Sequence, residues 1–402
     1  MNTTATALPA WAPNIEPSRW VDNRLYTDPR TFELETERIF MRTWLFAGHE
    51  SEARDPGDYF TTTLLEQPLI VVRGADGMLR AFYNTCRHRG SRVLLDACGH
   101  ASALRCPYHN WVYDLSGRLI GIPGEEAYDG SGFVKEENPL VAVRCEVELG
   151  LVFVCFNDDA PSLREYLGPK IVETLSTPLA NGRFELVKHY GYDLPINWKV
   201  FAENARDGYH VPFVHPFFRK ASPPGPYYLH ANGHAVQHLG MDPSGIDPQL
   251  WERLQQHTLP GVATGDGYIV TLFPDATITL RSNVISIDSQ RALGPKAVRM
   301  ESRVLGLAGD SEAVKVVREL GHATWFLNPV ELEDGPIFVG QQEGVAAKGV
   351  RYSVIARGAD ATTGTRGDDN RLRQWWAAWR AAMGVEINSL EGDLESESHA
   401  RR

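Results

Sequence analysis

The sequence predicts an α+β protein in which an all-β module is followed by a second domain that mixes helices and strands. From residue 46 to 160, short runs of β-branched and aromatic residues are broken by turn residues, as at 74–77 and 116–117. Beyond residue 160, helix-type and strand-type patterns are mixed. A chain of 402 residues is long enough for two or three domains with a large core.

We divide the sequence into four parts. Residues 1–45 are predicted to form a helical segment that packs on the second domain, 46–160 form the all-β module, 161–384 form the second domain, and 385–402 form a polar tail that we expect to be disordered. Asp28 and Pro29 suit the cap and the first turn of the helix in the first part. Large apolar residues continue it at near-helical spacing, namely Phe32, Ile39, Phe40 and Trp44.

The second domain has a mixed succession of predicted elements. Helices are expected near 162–176, 197–210 and 310–322, with a long helix after Glu333. Strands are expected near 184–193, 268–273, 276–288, 296–307 and 323–328. The final helix has an apolar face and a glycine stop, formed by Leu372, Trp375, Trp376, Trp379, Met383 and Gly384.

Composition narrows the class of protein. The sequence has no apolar run of about eighteen residues, which argues against a membrane protein, and its first residues lack the features of a secretory signal. Five cysteines, an odd number, favour the reducing cytoplasm over a disulfide framework. Lys and Arg total 40 against 51 Asp and Glu, giving a net charge of −11 without a basic run, so we expect no nucleic-acid partner.

Two cysteine–histidine pairs lie within the all-β module. Cys86 and His88 are spaced C-x-H, and Cys106 and His109 are spaced C-x-x-H. Two thiolates and two imidazoles complete either a tetrahedral zinc site or a two-iron, two-sulfur cluster with both thiolates on one iron and both imidazoles on the other. Each pair mixes the two ligand types, whereas zinc ribbons more often pair cysteine with cysteine, so the cluster is favoured.

A second constellation lies in the segment PINWKVFAENARDGYHVPFVHPFF, which begins at Pro195. Asp207 and His210 are three residues apart and therefore share one face of a helix. His215 follows five residues later, and Pro212 indicates a bend that brings the second imidazole around. Two neutral imidazoles and one carboxylate form the facial triad of non-haem Fe(II) oxygenases.

Together these motifs resemble the large (α) subunits of Rieske non-haem iron aromatic ring-hydroxylating oxygenases. The likeness is to members acting on benzoate-like acids such as salicylate, anthranilate and terephthalate, and it covers most of the chain. It implies an all-β Rieske [2Fe–2S] domain and a catalytic domain with an antiparallel sheet flanked by helices, the helix-grip, START-like fold. By this resemblance Cys86 and Cys106 bind one iron of the cluster, and His88 and His109 bind the other. Asn110 departs from the family's pattern in the second loop, where glycine is commoner at that position.

The resemblance also implies a mononuclear Fe²⁺ bound by His210, His215 and a distant carboxylate. The segment PVELEDGPIFVGQQEGV is similar to the family's E-D segment, in which the aspartate is the ligand. That similarity assigns the third ligand to Asp334. Glu333 is the alternative third ligand, although it can also be explained as an ordinary acidic residue at the start of a helix.

Family resemblance further assigns roles to Asp207 and Asn204. In the family, the equivalent of Asp207 connects a histidine of the mononuclear iron with a Rieske histidine of the neighbouring subunit in a trimer. Carried over, it joins His210 of one chain to His109 of the next, while Asn204 lies near the iron. A homotrimer is implied, and a small β subunit is left open. Electrons come from NAD(P)H through a separate reductase, with or without a ferredoxin, because this sequence shows no G-x-G-x-x-G motif.

The substrate pocket is expected to be apolar with a few polar groups. Its candidate residues are Phe201, Val211, Phe213, Phe217, Arg281, Asn283 and Asp288. An aromatic carboxylate favours a bidentate arginine, for which Arg281, Arg291 and Arg366 are candidates, whereas Asp288 suits an amino or hydroxyl substituent.

We therefore predict a terminal oxygenase that uses O2 to dihydroxylate or monohydroxylate a small aromatic acid. One alternative is a Rieske oxygenase that carries out oxidative N- or O-demethylation, or monooxygenation of a substrate without a carboxylate. A further alternative is a Rieske electron carrier without catalytic activity, which would hold two irons per chain instead of three.

Overall fold

The computed structural model describes residues 19–179, 183–218, 227–230, 232–358 and 367–384. The tail predicted for 385–402 and the candidate Arg366 lie outside these residues. Strands are numbered in chain order as β1 (Trp20–Asp22), β2 (Leu45–His49), β3 (Asp58–Leu64), β4 (Gln67–Arg73), β5 (Leu79–Tyr83), β6 (Cys98–His100), β7 (Leu104–Arg105), β8 (Val112–Tyr113), β9 (Leu119–Gly121), β10 (Ala142–Glu148), β11 (Leu151–Cys155), β12 (Phe184–Leu194), β13 (Tyr227–Leu229), β14 (Ala235–His238), β15 (Gly267–Leu272), β16 (Ala276–Arg281), β17 (Val284–Gly294), β18 (Ala297–Leu307) and β19 (Tyr352–Val354).

The α-helices are α1 (Pro29–Glu35), α2 (Leu163–Leu167), α3 (Pro169–Leu179), α4 (Trp198–Asn204), α5 (Val211–Val214), α6 (Pro248–Gln255), α7 (Glu312–His322), α8 (Gly335–Val345) and α9 (Asn370–Met383). Winding of π type occupies Thr36–Phe40 and Ala323–Asp334, and we call the latter the π segment. Short 3₁₀ turns occupy Asn23–Tyr26, Glu50–Glu52, Glu125–Tyr128, Lys135–Glu137 and Pro243–Gly245. Among the described helices, none is both long enough and apolar enough to cross a membrane.

One compact unit, Met41–Tyr166 with Phe184–Leu186, contains the strands β2 to β11 and little helix. Its larger sheet has the strand order β2-β11-β10-β5-β4-β3-β6, and its smaller sheet has the order β7-β8-β9. The two Cys–His pairs lie in loops, one after β5 and the other between β7 and β8. A hydrophobic cluster that includes Ile70, Phe82 and Trp111 packs beneath both loops, so the loops rest on a well-packed core.

The second compact unit contains the described residues among 1–40, 167–183 and 187–402. Its sheet has the order β12-β18-β17-β16-β15-β14-β13, and the registers determined for β13 to β18 are all antiparallel. Residues of β16 and most of β17 are buried, which fits a sheet covered on both faces. One unit is all-β and the other has an antiparallel sheet with helices, which confirms the predicted α+β class.

A long helical stretch crosses this second unit. It consists of α7, the π segment and α8, which follow one another without a break from Glu312 to Val345. The strand predicted near 323–328 is therefore wrong. Its apolar run, with Trp325 and Phe326, was too short to distinguish a buried strand from a buried helix by periodicity. Pro329 inside the π segment has no N–H to donate, a defect that irregular winding accommodates.

Buried polar contacts tie the first helix to the last one. The Glu35 carboxylate accepts hydrogen bonds from Trp198 Nε1 at 2.8 Å and Trp379 Nε1 at 2.9 Å, and pairs with Lys199 Nζ at 2.6 Å. Both members of the ion pair are fully buried, so each charge is stabilised chiefly by the other and by these donors. The predicted final helix is confirmed as α9, which ends at Gly384 with a φ of 76°.

Candidate metal centres and substrate cavity

The two Cys–His loops bring all four predicted cluster ligands together. The Nδ1 atoms of His88 and His109 lie 3.1 Å apart, and the Cys86 and Cys106 side chains are buried beside each other. Burial lowers the pKa of His88, and His109 adds to that effect, so its imidazole is neutral and has a free lone pair. All five cysteines are free. Two adjacent thiols and two imidazoles meeting through Nδ1 are a donor set that fits a [2Fe–2S] cluster.

The two loops share one backbone pattern. In the first, the amide of Gly90 donates to Cys86 O and the amide of Cys86 donates to Ser91 O. In the second, Asn110 donates to Cys106 O at 3.0 Å, as Gly90 does in the first loop. Gly90 has a φ of 74° and Asn110 a φ of 59°. Asparagine tolerates this left-handed conformation better than other non-glycine residues, which explains why it can replace the commoner glycine.

Aromatic side chains surround the four ligands. Trp111 stacks on the His88 ring with centroids 4.9 Å apart and planes 10° apart. The Tyr113 hydroxyl lies 3.3 Å from Cys86 Sγ and accepts a hydrogen bond from the Arg87 amide at 3.0 Å. These contacts fix ring orientation and place a hydroxyl donor at one thiolate, which are the features that tune such a cluster.

In the second unit, His210, His215 and Asp334 converge on one point. His210 Nε2 and His215 Nε2 are 3.2 Å apart, and Asp334 Oδ1 lies 3.3 Å from His215 Nε2 and 3.9 Å from His210 Nε2. Their three ligand atoms lie within 4.8 Å of one another. Asp334 is 2% exposed, and its Oδ1 has no hydrogen-bond donor among the described residues. A buried acceptor facing two imidazole nitrogens fits a divalent cation, and the N2O set suits Fe²⁺.

Two further carboxylates hold the outer nitrogens of these histidines. Asp207 Oδ2 lies 3.0 Å from His210 Nδ1, and Glu333 Oε2 lies 2.6 Å from His215 Nδ1. A carboxylate at Nδ1 keeps the proton there and leaves the Nε2 lone pair for the metal. Glu333, the alternative third ligand of the sequence prediction, thus lies on the far side of His215 from Asp334. Nothing in the sequence distinguished this supporting position from ligation.

A cavity of about 730 Å³, including its open mouth, lies beside this triad. Its predicted residues are Phe201, Val211, Arg281, Asn204 and Asp207. The other lining residues, which the sequence interpretation did not select, are Ala205, Gly208, Phe218, Gln237, Leu239, Ile269, Thr277, Thr279, Trp325, Phe326, Pro329 and Val330. Strand alternation could have selected Thr277 and Thr279 once Arg281 was chosen, because the three occupy alternate positions of β16.

The structure does not bring the other four predicted substrate residues to the cavity wall. Phe213 is 72% exposed, and Phe217 packs on Trp325 with ring centroids 5.9 Å apart. Asn283 is fully buried and accepts a hydrogen bond from Trp325 Nε1 at 3.2 Å. Asp288 is fully buried and accepts from the Ser302 hydroxyl. These residues support the wall from behind or face solvent.

The candidate Arg291 has acidic partners of its own. Its guanidinium pairs with Asp275 at 3.1 Å and with Glu301 at 3.2 Å. Arg281 instead lies at the cavity, where it is 4% exposed and its guanidinium carbon is 5.5 Å from the centroid of Trp325. Of the two described arginine candidates, Arg281 is the one that lines the cavity.

A four-ligand Cys/His centre in an all-β unit, together with a two-histidine, one-carboxylate centre beside a cavity, defines the class of two-centre iron oxygenases. Family models agree: residues 43–142 match the Rieske [2Fe-2S] domain, and residues 182–381 match the catalytic domain of the ring hydroxylating alpha subunit. The chain is 33% identical over 391 residues to 2-aminobenzenesulfonate 2,3-dioxygenase subunit alpha of an Alcaligenes species, covering 94% of this chain and 97% of that protein.

Two other relatives extend this comparison. A terephthalate 1,2-dioxygenase subunit alpha of a Comamonas species is 30% identical over 400 residues, covering 91% of this chain and 95% of that protein. Naphthalene 1,2-dioxygenase from a Rhodococcus species has the same fold, with a TM-score of 0.78 at 23% identity, covering 91% of this chain and 95% of that one. The chain belongs to the Rieske ring-hydroxylating oxygenase alpha subunits. It is therefore an oxidoreductase enzyme, and the alternative of a non-catalytic electron carrier is wrong.

Proposed function

We propose that this chain is the terminal oxygenase that hydroxylates a small aromatic acid, with Arg281 as the counter-ion of the acid group. The observation that carries the proposal is the buried guanidinium of Arg281 in the wall of the cavity beside the triad. Binding a substrate anion in a buried cavity is unfavourable when the anion has no partner. It is favourable when a carboxylate or a sulfonate can pair with a planar guanidinium. The names of both full-length relatives indicate ring substrates that carry acid groups.

We further propose the metal ligands already described. His210, His215 and Asp334 would hold Fe²⁺, and Cys86, His88, Cys106 and His109 would hold the Rieske cluster. When bound, the two centres supply the electrons and the redox chemistry that O2 activation requires. The chain's own residues orient the ligands: Asp207 and Glu333 retain the Nδ1 protons of the two histidines, and Phe201 and Val211 line the cavity where the ring would lie.

Asp207 is proposed to connect two subunits of a homotrimer. Its Oδ2 lies 3.0 Å from His210 Nδ1, and its side chain is still 25% exposed. The exposed part of the carboxylate would accept a hydrogen bond from His109 of the partner chain and so join the two redox centres. In Asp207→Asn, which keeps one acceptor oxygen, we expect both metals to stay bound while coupled turnover falls sharply. Near-normal turnover in that variant would refute the link.

Electrons are proposed to come from an NAD(P)H-dependent reductase, with or without a ferredoxin. A cytoplasmic location is also proposed, which five free cysteines support.

The first experiment is anaerobic purification with iron and sulfide analysis, for which we expect three irons and two sulfides per chain. Product analysis with a reductase partner should then follow on benzoates, benzenesulfonates and neutral arenes of equal size. Turnover of neutral arenes as fast as acids would overturn the substrate class.

Replacing Arg281 tests the counter-ion separately. Arg281→Met keeps the length and the apolar stem of the side chain but removes its charge. We expect KM for the acid to rise at least about tenfold, since a hydrogen-bonded charge partner is lost, with little change for a neutral arene. An unchanged KM for the acid would contradict the assignment.

A further inference from the structure

Three neighbouring strands present one row of side chains to the cavity. Gln237 of β14 pairs with Ile269 of β15, and Ile269 pairs with Thr279 of β16. Directly paired residues of antiparallel strands point to the same face of the sheet. All three line the cavity, so the row carries an amide and a hydroxyl with an isoleucine between them.

Gln237 is held in one orientation. An Arg371 nitrogen donates a hydrogen bond to its Oε1. A guanidinium has only donors, so the oxygen of the amide must face Arg371 and the NH2 group must face away from it. Gln237 is 3% exposed, and its Nε2 has no acceptor among the described residues. A buried N–H without an acceptor is costly, which indicates that a ligand supplies one.

Thr279 adds a second donor of the same kind. Its side chain is 3% exposed, and its Oγ1 has no hydrogen-bond partner in the described part of the chain. Arg281 follows on the same strand face and lies across Gly267 of the neighbouring strand. A Cβ at Gly267 would lie 2.7 Å from Arg281 Nη1 and 2.8 Å from Cδ, so glycine makes room for the arginine beside the row.

We propose that Gln237 and Thr279, together with Arg281, form an oxyanion-recognition site that binds the acid group of the aromatic substrate. This inference rests on the proposed function. A carboxylate or a sulfonate offers several acceptor oxygens and a negative charge, which match an amide donor, a hydroxyl donor and a guanidinium. The acid group is then anchored on the sheet wall, while the triad lies on the helical wall of the same cavity, formed by residues around α5 and the π segment. The ring is held between the two walls.

Gln237→Glu provides a sharp test, because it reverses the hydrogen-bonding character at one position without changing its size. Arg371 still faces one carboxylate oxygen and keeps the group ionised, while the other oxygen replaces the NH2 group. Calorimetry on the metal-loaded, anaerobic protein would compare benzoate, benzenesulfonate and the neutral isostere benzamide. We expect both anions to bind at least about tenfold more weakly to the variant, whereas benzamide, whose NH2 can donate to the new carboxylate, binds as well or better.

Thr279→Val should weaken binding of the anions by about three- to tenfold, since it removes one neutral hydrogen bond. The matched control is Thr271→Val: Thr271 is a buried threonine of β15 on the same face, and we expect affinity within about twofold of wild type. Binding of only one of the two anions to the wild type, with the same variant effects, also supports the site and identifies the acid group.

Three results would overturn the inference, and they can be told apart. If the wild type prefers anions but Gln237→Glu and Thr279→Val bind them as wild type does, the row has no part in recognition and the proposed substrate class survives. The same holds if Gln237→Glu weakens benzamide as much as benzoate, since that indicates a packing defect. If the wild type binds benzamide as tightly as benzoate, the proposed substrate class fails, and the oxyanion site fails with it.

Discussion

Removing the Tyr113 hydroxyl should lower the reduction potential of the Rieske cluster. Tyr113 is fully buried, and its oxygen lies 3.3 Å from Cys86 Sγ. Because the Arg87 amide already donates to that oxygen, the hydroxyl proton is available to the sulfur. Burial raises the pKa of Tyr113 above its ordinary value, and the Cys86 thiolate adds to this, so the donor stays protonated at working pH. A donor at the sulfur favours the more negative, reduced cluster.

The size of the effect follows from the strength of one hydrogen bond. A neutral hydrogen-bond donor stabilises its acceptor by about 0.5–1.5 kcal/mol, and most of this stabilisation goes to the reduced cluster rather than the oxidised one. For a one-electron couple, 59 mV corresponds to about 1.4 kcal/mol. Tyr113→Phe should therefore lower the potential by about 20–60 mV while leaving the ring in the hydrophobic cluster beneath the loops.

A redox titration followed by electron paramagnetic resonance measures this shift. Tyr59→Phe is the matched control, since Tyr59 is 6% exposed and belongs to the same hydrophobic cluster, and its potential should match that of the wild type. Iron and sulfide content must be equal in all three proteins. A Tyr113→Phe potential within about 10 mV of wild type, below the range expected for one hydrogen bond, would refute the reasoning.

Three other substitutions should have measurable effects. Glu333→Ala removes the partner of His215 Nδ1 and should weaken Fe²⁺ affinity by about 10- to 100-fold in a chelator competition. Asn110→Val forces a β-branched residue to a φ of 59° and should reduce cluster content, whereas Asn110→Gly should not. Burial raises the pKa of Asp288 well above 3.8. Its neutral form therefore costs the folded state nothing below pH 4, and the free energy of unfolding declines as the pH rises from there towards the folded-state pKa. Above pH 4, the free energy of unfolding of Asp288→Asn should therefore increase relative to that of the wild type. Denaturant titrations should show an increase of at most about 1.4 kcal/mol per pH unit.

Short-range spacing singled out the four Cys and His residues that the structure brings together, because residues so close in one loop must also be close in space. Most of the other strands and helices followed from period-two and period-3.6 patterns, but the helix predicted for 197–210 ends at Asn204. The π segment did not follow from either pattern, since its winding departs from both periods and Pro329 interrupts the local pattern. Trp325, Phe326 and Val330 of this segment line the cavity, so the error in secondary structure also removed them from the predicted pocket.

The substrate wall was harder to predict because it depends on strand register. Gln237 and Thr279 are neighbours only through Ile269, on a strand between them. A shift of one residue in either pairing would turn the row to the opposite face. Alternation along β16 could group Thr279 with Arg281, but it could not indicate which face of the strand met the cavity. Asn283 and Asp288 were therefore reasonable candidates that the structure places behind the wall.

Glu333 and Asp334 show the same limit at the scale of two adjacent residues. Neighbouring residues in a helix point in different directions, so only one of two adjacent acids can face a given site. The sequence offers two acids and does not indicate the rotation of the helix. In the structure, Asp334 is 2% exposed and faces the Nε2 atoms of the two histidines, while the Glu333 side chain is 38% exposed and reaches the outer nitrogen of His215. Because an imidazole has two nitrogens on different edges, one histidine can use both adjacent acids, one beside its metal-facing nitrogen and one to hold its proton.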